Sequence, residues 1–150
     1  MSDVTAEQTI AASADEIWTV LADEYDRLHD WFSGASATDM ETDAPHGLGS
    51  VRIVRNGPMK IREEIVVWEP AERLSYTITG LGPGADDVRS DWMLHARPDG
   101  STVAQVRTSW EMRGRVVGKL FRPLYAQLLA RAGDKLTTGL KDAVEARREK

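Results

Sequence analysis

Glu63 stands between Ile61 and Ile65, where a period of two would turn all three side chains toward an apolar interior. A carboxylate in such a place is costly unless a cation or a proton compensates it. Either arrangement would give a polar anchor or an acid/base group inside an apolar pocket. Its expected cross-strand neighbours are Ile78 and Ile53, with Arg55, Tyr76 and Ser90 near enough to add polar groups. Whether Arg55 shares a face with Glu63 depends on the odd or even length of the Asn56-Gly57-Pro58 loop, because a slip of one residue reverses every side chain. The competing reading is a bulge that turns Glu63 to water, which the charged run Lys60-Ile61-Arg62-Glu63-Glu64 favours.

The remaining chemistry-bearing residues have plainer readings. His29, His46 and His95 have no ligand spacing among them, so they read as surface or loop histidines and no metal is expected. The chain has no cysteine, which excludes disulfides, thiolate sites and a cysteine nucleophile. No nucleophile elbow supports a Ser–His–Asp arrangement. Gly47-Leu48-Gly49 is followed by a strand rather than a Lys-Ser/Thr pair and a helix, so it reads as a turn, not a phosphate cradle. Asp86-Asp87 follows the Gly-rich stretch Gly80-Leu81-Gly82-Pro83-Gly84 and reads as loop solvation.

The elements that must position these residues come in a telling order. Val4 to Ile10 reads as a strand. Ser13-Ala14-Asp15-Glu16 has the spacing of a capping box, and Ile17, Val20 and Leu21 continue it as a helix over about 14–23. Leu28, Trp31 and Phe32 suggest a second short helix before Gly34. From Val51 and Ile53 the period becomes two: Ile61, Ile65 and Val67, then Leu74, Tyr76 and Ile78, then Trp92, Leu94 and Ala96, then Ala104, Val106, Thr108 and Trp110. One apolar and one wet face per strand is an antiparallel pattern. A three-residue hairpin at Pro98-Asp99-Gly100 pairs Ala96, Leu94 and Trp92 with Thr102, Ala104 and Val106. A four-residue Glu69–Glu72 connection sets Val67 opposite Leu74 and Ile65 opposite Tyr76.

From Gly114 to the end, Val117, Leu120, Phe121, Leu124, Leu128, Leu136, Leu140 and Val144 recur at helical spacing, with a kink or restart expected at Pro123. One helix must then cover an antiparallel sheet several strands wide, and a sheet curled round a single helix leaves a hollow. Trp92, Trp110, Tyr76, Leu124 and Leu128 are expected to face inward beside Val106, while Leu120 and Phe121 would sit at an entrance.

Length and charge narrow the rest. The 150 residues fit one domain, 1–150, large enough to bury a core. A net charge of −5 argues against nucleic acid, whose binding needs many cations on phosphate. Arg147-Arg148 and Lys150, interleaved with Glu145 and Glu149, read as a solvated helix end. No basic, apolar N-terminal leader is present, and no run approaches the ~20 apolar residues of a membrane span, so a cytoplasmic location is expected.

Several segments together resemble the START/Bet v 1-like (SRPBCC) superfamily, in particular its bacterial polyketide cyclase/dehydrase and lipid-transport branch. They are Ile10-Ala11-Ala12-Ser13-Ala14-Asp15-Glu16-Ile17-Trp18, Trp31, Gly47-Leu48-Gly49, Trp68-Glu69-Pro70 with Arg73-Leu74-Ser75-Tyr76, Asp99-Gly100-Ser101-Thr102, and Leu140-Lys141-Asp142-Ala143-Val144-Glu145. The resemblance implies an α+β helix-grip fold: a curved antiparallel sheet of about seven strands round a long C-terminal helix, with two short helices after the first strand. It also implies a deep apolar cavity closed at one end by loops, with the glycine pair at 47 and 49 bordering the mouth. A small hydrophobic ligand such as a lipid or polyketide would bind there without a cofactor. Glu63, Arg55, Tyr76, Ser90, Trp92, Val106, Trp110, Phe121, Leu124 and Leu128 are the candidate ligand-binding residues. Two other readings stay open: a cyclase or dehydratase in which Glu63 with Tyr76 or Arg55 moves protons, and a protein-interaction module like the chaperone-activating branch.

Overall fold

Ser13, three residues past the first strand, starts the first helix. The structure, a computed structural model, describes residues 2–82 and 84–149, with the backbone alone at Val117. Strand β1 (Ser2–Ile10) gives way to helix α1 (Ala14–Trp18). There the Ser13 hydroxyl accepts from Glu16 N at 3.2 Å and the Glu16 carboxylate accepts from Ser13 N at 3.3 Å, the reciprocal box its sequence predicts. The helix widens into a π turn over Thr19–Asp23, and a 3₁₀ segment, Tyr25–Asp30, follows.

Seven antiparallel strands form one sheet in the order β1-β7-β6-β5-β4-β3-β2. The others are β2 (Ala37–Met40), β3 (Val51–Asn56), β4 (Met59–Glu69), β5 (Arg73–Thr79), β6 (Ala85–Ala96) and β7 (Thr102–Met112). Short β2 lies at the edge and lacks apolar alternation, so a period-two reading begins only at β3. The β6–β7 register is the expected one, with Trp92 opposite Val106, Leu94 opposite Ala104 and Ala96 opposite Thr102. Gly100, at φ 89°, takes the left-handed position of that hairpin.

Two registers depart from expectation. Ile65 faces Tyr76 as expected, but a bulge between Ile65 and Val67 sets Val67 against Ser75 and puts Trp68, not Val67, opposite Leu74. The β3–β4 turn is two residues long, pairing Asn56 with Met59, and therefore Arg52 with Glu63 and Arg55 with Lys60. Arg52 and Val54 point inward, whereas Val51, Ile53 and Arg55 take the other face. Val51 is nevertheless buried, because the 41–50 segment folds over it: Thr42 Oγ1 accepts from Val51 N at 3.1 Å and Glu41 N donates to Val51 O at 2.9 Å.

Helix α2 (Arg115–Arg148) runs on through Pro123 without interruption and packs against β1 and β7. Its buried face is Gly118, Tyr125, Leu129, Gly133, Thr137, Leu140 and Val144, with Phe121 and Leu136 half-buried. The expected stripe was correct at its C-terminal end and one residue out in the middle. Leu120 and Leu124 are exposed, and Leu128 is only partly covered, because Tyr125 and Leu129 take the inward positions. Val117, also on the expected stripe, lies outside the described side chains, as Pro83 lies outside the described residues. Small residues set the approach of helix to sheet: a Cβ on Gly133 would meet the Ala6 Cβ at 3.3 Å. The helix end is tied rather than simply solvated, since Arg147 holds Glu24 through Nη1 at 2.8 Å and Nη2 at 2.5 Å. This is an α+β helix-grip arrangement, and its helix covers the β1–β7 side of the sheet while leaving the inner face of β3, β4 and β5 to be closed by other means.

Candidate functional site

That uncovered face holds a cavity of about 310 Å³. Ile61, Glu63, Tyr76 and Ile78 form its sheet wall, Leu28 and Phe32 close it from the loop side, and Leu129, Ala132 and Leu136 close it from α2. Ser90 and Thr108 add two hydroxyls, bonded to each other at 2.9 Å. Leu128, Arg131 and Lys135 stand on the helix side of the opening.

Of the two readings its sequence leaves open, the structure takes the inward one: Glu63 is buried, and its compensation is Arg52. Both side chains are nearly sealed, at 3% exposed for Arg52 and 7% for Glu63. Arg52 Nε donates to Glu63 Oε1 at 2.7 Å, and Nη2 lies at the same distance from the same oxygen. Nη1 donates to the Tyr25 carbonyl at 2.9 Å. The guanidinium carbon lies 3.7 Å above the Tyr25 ring centre and 5.1 Å from that of Tyr76, so aromatic faces cover the cation where no acceptor does. Tyr25 OH donates to the Glu63 carbonyl at 3.1 Å, which fastens the 3₁₀ segment to β4. Trp92 Nε1 donates to Tyr76 OH at 3.2 Å.

Electrostatics keeps this cluster in one state. Burial works to lower the Arg52 guanidinium, but Tyr25, Glu63 and Tyr76 outweigh it and hold the group above the usual arginine value. Burial pushes the Tyr76 hydroxyl up to about 12, and raises Tyr25 well above the ordinary tyrosine value. At neutral pH both phenols therefore keep their protons, and Tyr76 presents its own to the cavity wall. Glu63 Oε2 has no hydrogen-bond partner among the described residues.

The expected site residues divide. Glu63, Tyr76, Ser90 and Leu128 come together around the cavity. Trp92, Val106 and Trp110 face inward but sit fully buried in the packed core and do not line the cavity. Phe121 is half-buried and also off the lining. Leu124 is exposed because α2 is rotated relative to the expected stripe. Arg55 points outward to Asp39 at 2.8 Å, since the two-residue turn puts it on the face opposite Glu63. The Gly47-Leu48-Gly49 turn lies off the cavity, with Gly49 N donating to Ile65 O at 3.0 Å beside the β4 bulge. His29 bonds Thr38 at 2.9 Å and His46 stacks on Trp68, while His95 is exposed on β6. Among the described residues no three His, Asp or Glu side chains are grouped as a metal site would need. Asp86 pairs with Arg113 at 2.8 Å.

Sequence reasoning missed Arg52, Tyr25, Thr108, Arg131 and Lys135. A two-residue Gly57-Pro58 turn, taken at face value, would have paired Arg52 with Glu63. Tyr25, seven residues beyond the end of α1, left no signal of spacing.

Over residues 1–145 the chain matches the family described as "Polyketide cyclase / dehydrase and lipid transport". The protein belongs to that family. Solved structures agree in fold. A point mutant of norcoclaurine synthase from Thalictrum flavum, in complex with a transition-state analogue, superposes with a TM-score of 0.78 at 19% identity, covering 98% of this chain and 96% of that one. A Thermus thermophilus protein gives 0.74 at 18% identity over 97% and 99% of the two chains. Ara h 8.0201 gives 0.71 at 15% identity over 97% and 98%. No curated protein sequence matches the chain. The polyketide cyclase/dehydrase family and the Bet v 1-like fold both suggest binding of a hydrophobic ligand, and no helix among the described residues is long and apolar enough to cross a membrane.

Proposed function

We propose that this family member binds a small, mainly apolar molecule in the cavity between α2 and strands β3–β6. The observation that supports this reading is an apolar cavity with one ion-paired carboxylate in its wall. At about 310 Å³ the space lies at the lower end of small-molecule sites, roughly 300–1,000 Å³. It suits two or three aromatic rings, or one short chain, rather than a two-chain lipid. Burying about 300 Å² of such a ligand gains on the order of 7 kcal/mol, which caps apolar affinity at a dissociation constant on the order of 10 μM, and the cost of ordering the ligand weakens it from there unless polar contacts offset it. Glu63 Oε2 would accept a hydrogen bond from a hydroxyl or amine on the ligand, with Tyr76, Ser90 and Thr108 as further polar contacts.

Binding fits the site better than acid–base catalysis. Glu63 Oε1 is bonded to a buried guanidinium, and Tyr76 holds its proton at neutral pH, so the wall carries no adjacent acid–base pair. An open cavity of this size also weighs against a module that works by surface contact alone.

The test is titration with N-phenyl-1-naphthylamine, an uncharged three-ring probe whose emission rises in apolar surroundings, beside native mass spectrometry of the protein as purified. One probe per chain is expected, with affinity falling about tenfold or more in Ala132→Phe, which fills the cavity from α2. An unbound mass spectrum with no saturable probe signal, or probe binding indifferent to Ala132→Phe, would sink the proposal.

A further inference from the structure

Leu128 belongs to two surfaces at once. Positions 116, 120, 124, 128, 132 and 136 of α2 form one row, each four residues after the last. The second half of the row, Leu128, Ala132 and Leu136, lines the cavity. The first half lies in water, with Val116 77% exposed, Leu120 69% and Leu124 58%. Single exposed leucines need no explanation, but a contiguous row of large apolar side chains that leads into a cavity does.

Cations accompany the row. Arg115 and Lys119 flank it on one side, and Arg131 and Lys135 stand at its cavity end, while Arg122, two residues from both Leu120 and Leu124, lies round the helix from them. From Arg115 to Lys135 there are five Lys and Arg against Asp134 alone, in a chain whose net charge is −5. None of the five makes an ion pair with a described residue, whereas neighbouring Arg113 is taken by Asp86. An apolar stripe bordered by unpaired cations on one helix face has the chemistry of an interfacial helix.

We propose that this face of α2 docks on an anionic lipid bilayer. Val116, Leu120 and Leu124 enter the headgroup–acyl boundary, the flanking cations meet lipid phosphates, and the cavity opening at Leu128 is brought against the membrane. The remainder of the chain, strongly acidic, is repelled and so orients the molecule with α2 downward. A second copy is a poor occupant. It would set the same cations against one another, and the exposed part of the row, about 18 Å from Val116 to Leu128, falls short of the roughly 800 Å² per partner of a stable interface. A bilayer needs no matched surface.

The experiment is flotation of the full chain with vesicles of phosphatidylcholine, with and without phosphatidylglycerol, at low and high salt. Supporting results are binding to the phosphatidylglycerol vesicles, loss of that binding in high salt, and a drop of roughly tenfold per leucine in Leu120→Gln/Leu124→Gln. Arg115→Gln/Lys119→Gln should weaken binding and flatten its salt dependence. Both pairs are exposed and off the cavity, so N-phenyl-1-naphthylamine binding should be unchanged in them, and a failure of docking stays distinguishable from a failure of the cavity reading. Absence of flotation, equal binding to neutral vesicles, or binding untouched by Leu120→Gln/Leu124→Gln overturns the proposal. So does a dimer in light scattering that the leucine substitutions dissolve, since a second copy then covers the face.

Discussion

Removing one member of the Arg52–Glu63 pair should cost far more than removing both. Both side chains are almost sealed from solvent, so a partner left alone is a buried charge without compensation, which costs about 3–5 kcal/mol. The two single substitutions should not be equal. In Glu63→Met the guanidinium keeps the Tyr25 carbonyl at 2.9 Å and the faces of the Tyr25 and Tyr76 rings at 3.7 and 5.1 Å but no anion, so a loss of about 4 kcal/mol is expected. In Arg52→Met the stranded carboxylate borders the cavity, where water can reach it, and about 3 kcal/mol is expected. The double substitution to methionine leaves no buried charge. Its chief penalty is a Tyr25 carbonyl without its donor, about 2 kcal/mol.

The singles thus sum to about 7 kcal/mol against about 2 for the double, a coupling of roughly 5 kcal/mol, within the range measured for close buried charge pairs. Urea unfolding at neutral pH reads each value, provided the slope of the transition is unchanged among the four proteins. Thermal melting gives an independent check: at this length each kcal/mol moves the midpoint by about 2–4 °C, so Glu63→Met should melt about 8–16 °C lower. Single losses under about 1 kcal/mol, or a double loss equal to the sum, would mean that water already solvates the pair and that the wall of the cavity is not the sealed ion pair described.

Two further outcomes follow from the same packing. The Tyr76 hydroxyl is raised to about 12 in the folded protein, against about 10 unfolded, so the stability it contributes is complete below pH 10 and is lost as pH rises toward 12. That loss amounts to about 3 kcal/mol, and Tyr76→Phe should flatten it while costing about 1–3 kcal/mol at neutral pH through the unpaired Trp92 N–H; identical alkaline slopes of the urea midpoint in the two proteins would contradict this. Gly139→Ala should destabilise by about 1–3 kcal/mol although alanine is the better helix former, because the added Cβ would overlap the Trp31 carbonyl oxygen; an unchanged or raised melting temperature would show that α2 does not approach the 31–32 segment so closely.

The parts legible in sequence were those where one rule acted alone. Alternation and a glycine turn gave the β6–β7 pairing, and the Ser13–Glu16 box gave the start of α1. Where two rules competed, the reading slipped. In β3 the apolar rule sends Val51 and Ile53 inward, but the interior needs Arg52 to neutralise Glu63, and Val51 is buried on the far face by the 41–50 segment instead. On α2, counting large apolar residues selects Leu120, Leu124 and Leu128. The helix is seated by Gly118 and Gly133, which let its backbone close on Met112 and Ala6, and by Tyr125, which spacing by hydrophobicity alone does not weigh. Glu63 was legible as a buried carboxylate; its partner was not, because a cation three residues from the expected one becomes its neighbour only through the length of a turn.

The same seating explains why polar chemistry gathers where it does. Drawn toward β1 and β7 by its glycines, α2 cannot also reach β3, β4 and β5, and the loop residues Leu28 and Phe32 complete the enclosure without filling it. A solid apolar core in that half would leave Glu63 and Arg52 more exposed to the full desolvation cost, with no water within reach of Oε2. An empty sheet face would hydrate them and dissolve the pair's rigidity. A half-closed cavity lies between these extremes: it seals Oε1 against the guanidinium and leaves Oε2 as an acceptor at the wall. If the cavity is filled from α2 by Ala132→Phe, the stranded carboxylate in Arg52→Met should lose its access to water. The penalty of Arg52→Met should then rise from about 3 toward 5 kcal/mol in that background. An unchanged penalty in urea unfolding would show that the carboxylate and the cavity are energetically separate, and that the hollow owes nothing to the ion pair beside it.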